Sequence, residues 1–452
     1  MSIYSASVGD STSALASRLD QLMDGEVLVP DAGAVAALTV YGGPPRRPAL
    51  IIRPRTAVDV ARALPVLVES GLPVTTRAGG HSFGRRSVAD GGVVIDVSGL
   101  SSVEIDAHSR VAMAGGGTTA GRYGEAVAAH GFVTGFGDTA SVGIGGLTLG
   151  GGIGFLSRRV GLAADQLVGV ELATADGNLR TVDAESDPDL LWALRGGGPG
   201  LGVVTQLRYR LTEIREVHGG VLLFEPDAHL LAALVDAVAD GPDELSAMVN
   251  VLAAPPAPFV PERLRGHPVL AVIGAHSGSP RDAAVAWDVL RALGPVVADT
   301  VAAVPYGSLL RDEQAGDATA VTGAGFADRM DAARAERAIA ALEDLRAPVA
   351  VINIRPMGGA IARVPVGATA FAHRDRRAMV IVSTIFSDSA AAETARPIVD
   401  TLVTDLSDGD AGYVNFLGDV PDPERRAFPP ATLERLQRIR ATVDPTGMFS
   451  RA

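Results

Sequence analysis

PVTTRAGGHSFGRRSV, residues 73–88, decides the reading of this chain. Its β-branched lead-in reads as a strand over 74–77, two glycines follow, and His81 comes next with the small Ser82 behind it. Glycines at the end of a strand let backbone approach a ligand closely, so one imidazole is presented where a ligand meets the main chain. Upstream, residues 49–52 read as a strand and 56–70 as a helix, with a threonine cap at its start and Gly71 at its end. A strand–helix–strand unit therefore delivers His81 to the end of a strand.

Composition bounds what that ligand can be. At 452 residues the chain has room for two or three domains of roughly 150 residues. With 47% hydrophobic and 20% charged residues it belongs with globular proteins. No apolar run approaches the roughly 20 residues that cross a bilayer. The start lacks the basic and apolar regions of a secretory signal. A soluble, cytoplasmic protein with no membrane partner is expected. A net charge of −13, with no basic stripe, argues against a nucleic-acid partner. Cysteine is absent, which excludes disulfides, thiolate metal sites, Fe–S clusters and cysteine nucleophiles; no metal centre is expected. Lysine is absent too, which removes a P-loop lysine, a Schiff base and a lysine general base.

Further along, residues 92–97, 102–105 and 112–114 read as strands and 121–130 as a short helix. Residues 135–154, GFGDTASVGIGGLTLGGGIG, carry glycine at nine positions. That is too many for an ordinary helix or strand, because each costs roughly 1 kcal/mol of backbone entropy. A backbone open to a large flat ligand is expected instead. Strands at 167–174 and 179–182 flank an Asp176–Gly177 turn, a helix over 187–194 starts with Pro188 in its first turn, and RGGGPGLG (195–202) precedes a strand over 203–211. Glycine density falls after residue 213, where a domain boundary is placed. Beyond it, strands at 220–224, 247–252, 269–275, 350–354 and 379–385 alternate with helices at 229–239, 283–293 and 332–345, and a last helix covers 429–440. The fold class expected is α+β, with a sheet covered on one face by helices.

GGGTTA at 115–120 matches the G-x-G-x-x-A of a dinucleotide-binding turn, and Asp138 follows at about the expected distance of 20 residues. Asp138 sits inside a glycine run, however, and not at the tip of a second parallel strand. More specific is the ordered set RAGGHSFGRRSV, SVGIGGLTLGGGIGFLSRRVGLAADQL, LWALRGGGPGLGVVT, YVNF (413–416) and VDPTGMF (443–449). With these motifs the chain resembles the vanillyl-alcohol-oxidase or PCMH-type FAD flavoproteins, and among them the berberine-bridge-enzyme-like oxidases. The resemblance implies a PCMH-type FAD-binding domain at 1–213, a substrate domain at 214–404 and a C-terminal segment, 405–452, that returns to the first domain.

The resemblance also implies site residues. Arg77, Ala78, Gly79, Gly80, His81, Ser82 and Phe83 would form the pyrophosphate loop, whose backbone N–H groups can chelate an anion without any lysine. Gly143, Gly145 and Gly146 would make a second contact to FAD, and Val204 a third. His81 matches the family's 8α-histidyl attachment, against the plainer reading of a histidine hydrogen-bonded in a turn. Thr139 stands where many relatives carry a second, cysteinyl link, which threonine cannot make. Tyr413 matches the tyrosine that deprotonates substrate in several members. A phenol with a pKa of about 10 needs a neighbour such as Arg355 to lower it. Asn415 would bond flavin or substrate. The strand VINIRP (351–356) puts Asn353 and Arg355 on one face by period two, with no carboxylate. Arg355 would then hold an anionic or enolic substrate, or equally make a surface salt bridge. Asn250 and His276 are further substrate-pocket candidates, and His373 reads as structural. The activity implied is oxidation of a small molecule by hydride loss from an alcohol or an activated C–H or C–N bond, with O2 as acceptor. A bacterial secondary-metabolite substrate fits the Ala-, Gly-, Arg- and Pro-rich composition. A dehydrogenase with another acceptor and a non-redox flavoprotein are the alternatives.

Overall fold

The computed structural model describes residues 3–41, 46–311, 318–345, 347–418 and 420–449. Its first sheet has four strands in the order Glu26–Leu28, Leu50–Arg53, Val93–Asp96, Val74–Arg77, and the last three run parallel. The parallel pairing follows from the helix Ala57–Ser70, which carries the chain back between two of these strands. Thr56 and Asp59 begin that helix as a reciprocal capping box, and Gly71 ends it at φ +67°. Leu50, Ile52, Val60, Leu64, Val74 and Ile95 close the core between helix and sheet.

A second, antiparallel sheet has the order Val103–Asp106, Val111–Gly115, Val203–Arg210, Leu167–Ala173, Leu179–Asp183. The C-terminal helix Pro430–Val443 returns to this part of the molecule, placing Leu436 and Val443 in one core with Leu190 and Trp192.

The chain crosses from these sheets to a third between Glu213 and Val217. This third sheet is antiparallel and has eight strands. Seven follow the order Val296–Asp299, Val217–Phe224, Pro268–His276, Leu245–Ala253, Val349–Pro356, Ala378–Phe386, Thr319–Ala327, and Ala302–Val304 pairs beside Val217–Phe224. Helices Ala228–Ala239, Pro280–Arg291, Ala332–Leu345 and Ser389–Leu406 cover one face. Strand alternation divides the faces: Ile352, Ile354, Val380 and Val382 pack under the helices. The intervening residues, Asn353 and Ile381 among them, face the other way, toward a cavity. The mixed α+β architecture with a helix-covered sheet is as expected.

Two features depart from expectation. The glycine-rich stretch contains a six-residue helix, Ile144–Leu149. Gly145 and Gly146 lie inside it and the other seven glycines of the stretch lie outside, so only part of the entropy cost falls in a regular element. The helix Ser389–Leu406 and the strand Thr319–Ala327 were not legible. Pro397 interrupts the first and two glycines dilute the second. Those glycines have a packing reason: a Cβ on Gly323 would lie 2.9 Å from Val403, and one on Gly325 2.6 Å from Ser407. The strand is bare so that the helix can lie close.

A second close approach joins the first two parts of the chain. A Cβ on Gly79 would lie 2.5 Å from the Gly143 nitrogen, and one on Gly143 would lie 2.7 Å from the Gly79 nitrogen. Backbone cannot swing aside as a side chain can. Gly79→Ala should therefore destabilise the protein by about 1–3 kcal/mol in equilibrium denaturation. Gly124→Ala, in the helix Ala120–Ala128 with nothing within 4 Å, should instead stabilise it by about 0.5–1 kcal/mol.

Candidate active site

Between the glycine-rich loops and the open face of the eight-stranded sheet lies a cavity of about 820 Å³. That is large within the roughly 300–1,000 Å³ typical of small-molecule and cofactor sites. Ala78, Gly79, Gly80, His81, Ser82 and Phe83 line one end, at the terminus of strand Val74–Arg77. Thr139, Gly143, Gly145, Gly146 and Val204 line its floor. Tyr413 and Asn415 enter from the C-terminal segment, and Asn250, Asn353 and Arg355 from the sheet.

Two expected site residues lie elsewhere. The Arg77 side chain turns to Asp96 at 3.2 Å and to the carbonyls of Leu38 and Ala37, both at 3.3 Å, and is not part of the cavity wall. A cation at a strand end is drawn to the nearest buried carboxylate. His276 is buried outside the cavity, its Nδ1 accepting the Gly278 N–H at 3.1 Å, and burial pushes its pKa down. It ends a strand directly opposite Leu245 and His218, so its position is one of sheet packing. His373, read as structural, stacks on Phe326 at 4.4 Å and bonds the Ala427 carbonyl at 2.9 Å.

His81 points its Nε2 at Ser141 Oγ, 3.0 Å away. Tyr41 meets its ring edge-on at 6.1 Å and stacks on Phe83 at 4.8 Å. Ser141 carried no signal in the sequence; only the contact between the two loops brings it to the imidazole.

The buried Tyr413 hydroxyl accepts two hydrogen bonds, from Gly152 N–H at 2.7 Å and from Asn415 Nδ2 at 2.9 Å. Asn415 Nδ2 also donates to the Leu147 carbonyl at 2.9 Å. Burial pushes the phenol up to about 12, outweighing those two donors and Arg355, which all favour the phenolate. Tyr413 is thus a phenol at neutral pH.

Arg355 is buried and its hydrogen bonds are taken within the protein. Nε donates to Asn353 Oδ1 at 2.7 Å, one terminal nitrogen to the Ile153 carbonyl at 3.0 Å, and the other to Asp138 Oδ2 at 3.2 Å. A surface salt bridge is thereby excluded, and the anion Arg355 holds is one of the protein's own. Asp138 also pairs with Arg311 at 3.0 Å. Burial acts to raise the Asp138 pKa, but Arg355 and Arg311 prevail and hold the carboxyl below its ordinary range. A carboxylate missing from the strand is thus supplied by the glycine-rich loop, 217 positions away in sequence.

Residues 48–183 match the FAD binding domain family. In those residues the chain carries an FAD binding domain, and its whole fold resembles the PCMH-type FAD oxidases. It is 33% identical over 287 residues to (R)-6-hydroxynicotine oxidase of Paenarthrobacter nicotinovorans, a match that spans 63% of this chain and 62% of that relative, less than two thirds of its length. The crystal structure of 6-hydroxy-D-nicotine oxidase from Arthrobacter nicotinovorans superposes with a TM-score of 0.81 at 27% identity, covering 94% of this chain and 96% of that one. Berberine bridge enzyme from Eschscholzia californica shares the fold, with a TM-score of 0.84 at 20% identity, covering 96% and 97% of the two chains.

The cavity beside this FAD binding domain fits FAD. Its floor is backbone where a phosphate or a flat ring must come close. A Cβ on Gly146 would meet nothing within 4 Å, so a cradle stands open there in the cavity wall. Among the described residues no helix is long and apolar enough to cross a membrane.

The ion pair predicts a defined pH response. Because the Asp138 pKa lies below its unfolded value, its contribution is complete above about pH 4 and is lost as pH falls through the folded pKa. Asp138→Asn should destabilise the protein by about 3 kcal/mol near neutral pH, since it leaves Arg355 a buried cation short of a counter-charge. Denaturant melts from pH 7 down to pH 3 should show the gap from wild type constant at first and shrinking in acid.

Proposed function

We propose that the protein is an FAD-dependent oxidase, covalently flavinylated through His81 alone. It removes a hydride from an alcohol or an activated C–H or C–N bond of a small molecule, with O2 as electron acceptor. The carrying observation is the placement of His81, at the rim of a glycine-floored cavity with its imidazole held by Ser141. Thr139 lines the same cavity where a second link would need a thiol, and the chain has no cysteine at all. On this reading residues 1–213 and 405–452 hold the cofactor and 214–404 cover the substrate.

Bound FAD supplies a two-electron acceptor. The chain's residues do the rest. Glycine backbone at 79–80 and 143–146 binds the cofactor. Tyr413, with two N–H donors already on its oxygen, keeps its own proton for a substrate heteroatom and orients it. Arg355 positions Asn353 and the Ile153 carbonyl and is not itself free to take an anionic substrate. The similarity to 6-hydroxynicotine oxidase supports an oxidase over a non-redox role.

After acid precipitation the yellow colour should remain with wild-type protein and leave with His81→Ala; colour in the wild-type supernatant would refute the covalent link while leaving FAD binding intact. Tyr413→Phe should lower kcat/KM by about 10²–10⁴ in an oxygen-electrode assay. Flavin reduction by substrate without O2 consumption would identify a dehydrogenase.

A further inference from the structure

The sheet that roofs the cavity has an unusual wall. Met248, Ile273, Val349, Val351, Ile381 and Ile385 all present aliphatic side chains to it. Among the described residues this face of the sheet brings no carboxylate and no aromatic ring to the cavity. Its polar groups are largely spent on one another. Asn250 and Asn353 are direct cross-strand partners, and Asn353 Nδ2 donates to Asn250 Oδ1 at 2.5 Å. Asn250 Nδ2 donates to the Ala271 carbonyl at 3.1 Å, and Asn353 Oδ1 accepts from Arg355. Thr322 and Ser383 bond each other through their hydroxyls at 3.1 Å.

These contacts restrict what can sit there. A sugar carries a hydroxyl on nearly every carbon, and each one buried without a partner is costly. The wall has few unpaired donors or acceptors to offer. An ammonium group needs a counter-charge when buried. Asp138, the one carboxylate among the described residues lining the cavity, already serves two arginines. A carboxylate substrate would need a cation; among the described residues the sheet brings only Arg355 to the cavity, and its three nitrogens already donate to Asn353, Ile153 and Asp138, while Arg311 on the cavity wall is paired with that same Asp138.

We infer that the substrate is an uncharged, largely aliphatic molecule, whose hydrocarbon part lies on the Val349–Val351–Ile385 face while its polar end reaches Tyr413 and the Asn250–Asn353 amide pair. This deepens the oxidase reading and rests on it only for the side from which the substrate meets the cofactor.

The test is a binding titration of the flavin-loaded enzyme, read as a shift in the visible flavin spectrum under anaerobic conditions. The probes are 1-hexanol, 1-octanol, octylamine, octanoate and cellobiose. The inference expects 1-octanol to bind on the order of tenfold or more tighter than octylamine, octanoate or cellobiose. The n-alkanols should gain roughly fourfold per added methylene, the value of burying one CH2. Val351→Asp, which plants a carboxylate on the aliphatic face, should reverse the order of octanol and octylamine. Equal or tighter binding of cellobiose or either ion, or no spectral shift with either alkanol, overturns the inference. Bleaching of the flavin is scored separately: selective alkanol binding without bleaching by any bound alcohol counts against alcohol oxidation while upholding the substrate class.

Discussion

Arg355 ties the substrate-side sheet to the cofactor-side loops. Its guanidinium reaches from strand Val349–Pro356 to the carbonyl of Ile153 and the carboxylate of Asp138, both in the glycine-rich stretch. A planar group with fixed donor directions suits such a three-way contact, and the cost of burying its charge is offset by the paired carboxylate. Because Asp138 also answers to Arg311, the ion cluster fixes where the sheet's open face stands relative to the floor. The width of the cavity follows from that distance.

The same region explains the state of Tyr413. Gly152, whose N–H is bonded to the phenol, follows the residue pair packed against the YVNF segment: a Cβ on Gly150 would lie 2.0 Å from Asn415 Oδ1, and one on Gly151 3.4 Å from the Tyr413 hydroxyl. Tyr413, Asn415 and the turn are therefore a single packed unit. Nearness of Arg355 alone pointed to a lowered phenol pKa. Burial outweighs it, since the guanidinium's charge is largely met by Asp138. Stacking of Phe83 on Tyr41 and on Phe416 continues the packing to His81.

Much of the fold was legible. The strand Val74–Arg77, the capped helix before it, the helix Ala332–Leu345 and most strands of the large sheet appear where periodicity and end signals put them. Period two alone put Asn353 and Arg355 on one face, and that face is the cavity's. Illegible were elements whose signals are diluted by their packing, such as the glycine-bearing strand Thr319–Ala327 under Ser389–Leu406. Within the site, Asp138 was visible only as the acidic residue of a dinucleotide-turn pattern, and Ser141 not at all.

By itself the sequence determined the local backbone: where a helix is capped, where glycine permits close approach, and that His81 stands at the end of a strand. These properties are set by a few neighbouring residues and survive without knowledge of the rest. Tertiary structure alone decided which partner each polar group found. Asp138 met Arg355, Arg77 went to Asp96 instead of the cavity, His276 stayed inside its sheet, and Asn353 bonded Asn250 across the strands. The energy of a charge or an amide depends on what is within a few ångströms and how much water is excluded, and neither is written into its immediate sequence.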